Sequence, residues 1–142
     1  MNRGAAIFLA CLLSAASASA KVLITEEEAS QPADPFAPKG LFPGPKITLV
    51  SPHSETAGVK SPIHLKITFE PRGANVIPTS LKVTYLKFHP VDLTERVRAF
   101  ASQNGIDMPE AEVPPGLHKI RIQITDSDGL SGQADFVLNI SK

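Results

Sequence analysis

The chain has 142 residues, 14 Lys and Arg against 14 Asp and Glu, one cysteine, one tyrosine and no tryptophan. Zero net charge gives no footprint for DNA or RNA, which call for a strongly basic face, and no polybasic membrane anchor. With so few aromatic rings a stacking platform for sugars is hard to assemble.

The first twenty residues read as an export signal. Arg3 is a short positive start, Ala5 to Leu13 is an apolar run, and Ala18-Ser19-Ala20 is the small-x-small pattern cut by signal peptidase. The run is far below the ~20 apolar residues that span a bilayer. The expected product begins at Lys21 and works in the periplasm or outside the cell. No later stretch suits a transmembrane helix, so no integral membrane span is expected. A lipoprotein signal at Cys11 would want Leu where Phe8 stands. Cleavage after Ala20 removes Cys11, and with it any disulfide, thiolate site or cysteine nucleophile. What remains suffices for one domain held by its core.

Residues 21–45 form a leader. Val22-Leu23-Ile24 is a short apolar start, and Thr25 and Glu28 have capping-box spacing for one helical turn. Pro32, Pro35, Pro38, Pro43 and Pro45 remove backbone donors, so the segment reads as an extended spacer. The competing reading docks Val22–Ile24, Phe36, Leu41 and Phe42 on the domain or on a partner.

From residue 46 to 142 the hydrophobic period is two. Ile47 and Leu49; Ile63, Leu65, Ile67 and Phe69; Leu81, Val83 and Tyr85; Ile120, Ile122 and Ile124; and Ala134, Phe136, Leu138 and Ile140 each alternate with polar residues. Turn residues separate the runs, among them Pro71-Arg72-Gly73 and Asp128-Gly129. Phe69 and Ile122 are assigned to the core, Lys66 and Arg121 to wet faces. Strands with one wet face predict antiparallel sheets, and five or more of them imply an all-β sandwich or barrel.

One segment departs from this period. Leu93, Val97 and Phe100 share a helix face, Asp92 and Glu95 have capping-box spacing, and Gly105 suits a helix stop. A short helix is expected over Leu93 to Ser102. It lies in a connection between the Tyr85 and Ile120 runs that is longer than the ~2–6 residues usual in compact domains. Such excess points to function, with Glu95, Arg96 and Arg98 outward and Phe88 and Met108 as apolar neighbours of a partner site. The alternative is that the insert covers a sheet edge.

The segments ITLVSPHSETAGVKSPIHLKITFEPRG, SLKVTYLK, VDLTERV and PPGLHKIRIQITDSDGLSGQADFVLNI, with the leader LITEEEASQP, resemble a family of uncharacterised bacterial exported proteins with an immunoglobulin-like domain. The resemblance implies an all-β, immunoglobulin-like antiparallel β-sandwich, with the one short helix inserted, and no activity. VSP…VKSPIHLKITFEP and ITDSDGLSGQADFVL are also similar to the periplasmic copper-carrier family. That family implies a histidine at the mature N-terminus and an Asp-Gly-His motif. Here Lys21 and Asp128-Gly129-Leu130 stand in those places, so two ligands are missing.

His53, His64, His89 and His118 show no metal-ligand spacing. Asp126 and Asp128 in TDSDG resemble a calcium loop without its further acids and read as a hairpin turn. No serine lies in a Gly-x-Ser-x-Gly elbow, and Glu110 and Glu112 read as solvated. The expected function is a non-catalytic interaction or structural module of the bacterial envelope, with an unknown protein partner and no cofactor. A metal carrier of the copper type and a small hydrolase are the alternatives.

Overall fold

The computed structural model describes residues 21–33, 42–53 and 58–142. The expected signal at 1–20, with Phe36 and Leu41 of the leader, lies outside the described residues. In chain order the elements are β1 (Lys21–Val22), α1 (Glu26–Ala29), β2 (Lys46–Ser51), β3 (Val59–Lys60), β4 (Ile63–Glu70), β5 (Val76–Tyr85) and β6 (Val91–Asp92). Then follow α2 (Thr94–Val97), a 3-10 turn (Arg98–Phe100), β7 (Ala101–Ser102), β8 (Gly105–Glu112), β9 (Gly116–Asp126) and β10 (Ser131–Ser141).

The first sheet runs β1-β8-β4-β2, with β7 also on β8; the second runs β3-β10-β9-β5-β6. The fold is an all-β sandwich with a short inserted helix. Its long strands are antiparallel, while two short edge pairs, β1 with β8 and β3 with β10, are parallel.

Alternation made the core. Ile63, Leu65, Ile67 and Phe69 of β4 are buried, and Ile120, Ile122 and Ile124 of β9 face them from the other sheet. Each such side chain contributes about 1.5–3 kcal/mol on burial. At a bulge in β5 between Ile77 and Lys82, the Ser80 hydroxyl donates to Ile77 O at 2.6 Å and accepts from Thr125 N at 2.8 Å, filling the gap in the ladder. Arg121 departs from the wet-face expectation. It points outward, yet it is buried because Asp135, directly opposite on β10, holds it at 2.8 and 2.9 Å.

The inserted helix is shorter than expected. Asp92 Oδ1 accepts from Thr94 N at 2.9 Å, but Glu95 turns to Arg98 and forms no capping box. Leu93 and Val97 are fully buried, as the helix face required. After one turn of α2 the chain tightens into the 3-10 turn and passes into β7. Gly105 does not stop a helix. It opens β8 at φ +149°, where a Cβ would run into the carbonyl oxygen of Ile67 on β4.

The connection between Tyr85 and Ile120 is therefore not surplus. It carries β8, which pairs with β4 along Ile63–Thr68 and places Ile106, Met108 and Ala111 in the core. The spacer reading also fails for residues 21–33: Leu23 and Ile24 are buried in that core.

Candidate functional site: the leader-end cleft

The leader crosses from one sheet to the other. Lys21 and Val22 pair with Ala111 and Glu112 of β8, and the amides of Leu23 and Ile24 both donate to Glu112 O, at 2.9 and 3.4 Å. The Thr25–Glu28 capping box then forms: Glu28 N donates to Thr25 Oγ1 at 3.2 Å and Thr25 N to Glu28 Oε2 at 3.0 Å. Arg96 of α2 donates to both Glu28 oxygens at 2.8 and 2.7 Å and to Leu23 O at 2.9 Å. Further on, Lys87 Nζ donates to Ala29 O at 3.1 Å, Phe88 N donates to Pro32 O at 2.8 Å, and Ala33 bridges to Lys87 beside β5.

Between this strap and the rest of the domain lies a cleft of about 520 Å³. Val22, Ile24, Pro62, Val113, Pro114 and Pro115 give it apolar walls, and the exposed residues Glu26 and Glu112 border it. Ser61 Oγ, also on the lining, accepts from Val113 N at 3.0 Å and so fixes one wall.

Beneath that wall is a buried polar pair. His118 Nε2 donates to Pro114 O at 2.6 Å, which leaves Nδ1 to accept from the Tyr85 hydroxyl at 2.8 Å. Burial holds the imidazole below its ordinary value; the nearby Lys87 acts the same way, and the Pro114 bond opposes them. Burial, and then the negative Glu28, push the Tyr85 phenol up to about 12. The Lys87 ammonium lies 5.1 Å from the centre of the Tyr85 ring, a cation–π distance. Both rings are sealed, at 0 and 2 % exposure, so the pair braces the cleft wall from beneath.

The residues expected to meet a partner are only in part on the surface. Met108 is fully buried, a correction with a plain cause: it sits on the inward face of β8. Arg96 is engaged in holding the leader. Glu95 and Arg98 pair with each other at 2.9 Å. Phe88 is exposed, edge-on to His89.

Asp126 Oδ1 accepts from the amides of Asp128 and Leu130 at 3.0 and 2.9 Å, and Gly129 takes φ +79°, so TDSDG is the expected turn. The turn lacks the histidine of the copper motif: Leu130 stands after Asp128-Gly129 and supplies no ligand, and Asp126 Oδ1 is engaged by the turn's own amides. His64 is bonded instead to Asp107 at 2.6 Å. Among the described residues no three His, Cys, Asp or Glu side chains gather as metal ligands do.

No local sequence pattern marks the cleft. The inward alternation His118, Ile120, Ile122 and that of Leu81, Val83, Tyr85 carried the signal for the buried pair, since both put a polar ring in the core. The chain matches no family model, and no curated protein or solved structure is significantly similar to it.

Proposed function

We propose that the protein is a non-catalytic interaction module of the bacterial envelope, immunoglobulin-like in architecture, that holds a protein partner in the leader-end cleft. The observation carrying this reading is the cleft itself: apolar walls braced from below by His118 and Ser61, with exposed carboxylates at Glu26 and Glu112. Preformed apolar concavities with a few fixed polar groups are the usual form of a binding site. The lining offers Ser61 as a hydroxyl nucleophile candidate, but among the described residues no His, Asp or Glu side chain is bonded to its hydroxyl as a base, which favours binding over hydrolysis. The small-x-small motif directly before β1, and the resemblance to exported immunoglobulin-like proteins, support export to the periplasm or beyond.

Photo-crosslinking in intact cells tests this. A crosslinkable residue at Glu26 or Pro115 should give one and the same discrete adduct. Glu112→Lys should abolish it, and a crosslinker at Glu70, at the far end of β4, should not form it. Adducts at Glu70 alone, or none at the cleft, would remove the reading.

A further inference from the structure

The leader-end cleft presents one sign of charge. Glu26 and Glu112 stand exposed on its border, while no Lys, Arg or His lines it. Lys21 and Lys60, next in the chain to Val22 and Ser61, are not part of the lining. Arg96, the cation of α2, is taken by Glu28 and Leu23 O. Among the described residues neither Glu26 nor Glu112 is paired with a cation.

Other polar groups of the lining face the protein itself. Thr25 Oγ1 accepts from Glu28 N, and Thr25 N donates back to the Glu28 carboxylate. Ser61 Oγ accepts from Val113 N, Ile24 N donates to Glu112 O, and Pro114 O accepts from His118. Pro62, Pro114 and Pro115 have no N–H to offer. The side chains thus present mainly apolar wall and two unmatched carboxylates. That wall is stiff, because proline fixes φ at three of its positions and His118 and Ser61 brace it, so little ordering cost falls on binding.

We propose, resting on the reading of the cleft as the partner site, that the segment seated in it is a short basic and apolar stretch of the partner protein, in which Lys or Arg stands beside Val, Leu, Ile or Pro. The apolar residue packs on Val22, Ile24 and the prolines. Its cationic neighbour lies with its methylene stem on the same wall and its charged head at Glu26 or Glu112. An acidic segment would bring like charge against both carboxylates, and an uncharged one would leave them unmatched. A cleft of about 520 Å³ has the size of a small-ligand site, which suits a few residues of chain and not a folded surface.

The test is affinity selection with pools of acetylated, amidated hexapeptides passed over the purified, immobilised protein at low salt. One pool is built from Lys, Arg, Val, Leu and Pro, the other from Asp, Glu, Val, Leu and Pro, and mass spectrometry reads the retained members. The expected result is retention from the basic pool, of members carrying both a cation and an apolar neighbour, and none from the acidic pool. An exposed ion pair is worth up to about fivefold, so Glu26→Gln with Glu112→Gln should cut retention by about 2- to 25-fold. Glu26→Lys with Glu112→Lys should reverse the choice and retain acidic members. Val22→Ser, on the wall, should weaken every retained peptide, and Glu70→Gln, at the far end of β4, should change nothing. All variants should keep the wild-type circular dichroism. Retention of both pools alike, weakened by Val22→Ser but indifferent to the glutamate variants, overturns the basic chemistry and leaves the cleft as a site. Retention of the acidic pool alone overturns it as well. No retention from either pool also overturns it, and the reading of the cleft as a partner site falls with it only if the cellular crosslink at Pro115 is missing too.

Discussion

Arg96 fastens Glu28 across the top of the sandwich with two parallel hydrogen bonds of 2.8 and 2.7 Å, although the residues are far apart in the chain. Charge-assisted forks of this kind are the stronger class of hydrogen bond. Removing one partner leaves the other charge half-buried and unmatched. Arg96→Ala should therefore cost about 1.5–3 kcal/mol in denaturant unfolding. The loss should be local as well as global: amide exchange at Leu23 and Ile24 should accelerate more than at Ile122. Equal protection at all three sites would mean the fork does not hold the leader.

Stability should depend on pH through two groups acting in different ranges. Arg96, first of all, lowers Glu28 from 4.5 to about 2, so its contribution is complete above pH 4.5 and lost as pH falls through about 2. His118 is held below 6.5 in the folded state by burial. As pH drops below 6.5 the unfolded chain takes up that proton first, so stability falls until the depressed folded value is passed. The denaturation midpoint should thus fall as pH is lowered through and below 6.5, and His118→Gln should flatten that portion of the curve. An unchanged slope in the variant would assign the titration elsewhere.

Core and surface substitutions should separate sharply on β4 and β9. Phe69→Ala and Ile122→Ala should each cost on the order of 2–5 kcal/mol through lost transfer energy and a residual cavity. Lys66→Ala should stay within about 0.5 kcal/mol. Arg121→Ala should not join the surface group: its side chain is buried against Asp135, so a loss of about 1.5–3 kcal/mol is expected in the same unfolding experiment.

Replacing residues 86–119 with a Gly-Ser loop should abolish cooperative thermal unfolding. The cut removes β8, which lies between β1 and β4, together with Met108 and Ile106 from the core. Met108→Ala alone should cost about 2–5 kcal/mol. A shortened protein that still melts in one sharp transition would show that β8 is dispensable.

The sequence revealed some elements and concealed others for identifiable reasons. Unbroken alternation made β4 and β9 plain, because inward Ile67 and Ile122 have polar neighbours on both sides. In β8 the inward residues Ile106, Met108 and Ala111 do not keep a strict period of two: Pro109 interrupts the run, and a register shift between Ile63 and Leu65 carries the strand past the irregularity. Proline density suggested a free tether, yet Leu23 and Ile24 precede the first proline of the leader and were read with it. The Tyr85–His118 bond needed the pairing of β5 with β9 before two rings far apart in sequence became neighbours. For the cleft, no local pattern tells that Val22 and Pro115 will border one space.

The leader's route has a consequence in time. Lys21 and Val22 are synthesised ahead of every other described residue, but their partners Ala111 and Glu112 come near the end of the chain. Contacts so distant in sequence carry a large loop-closure cost and form late. The leader must therefore wait for β8: a growing or threading polypeptide carries Leu23 and Ile24 uncovered until Ala111 and Glu112 have emerged.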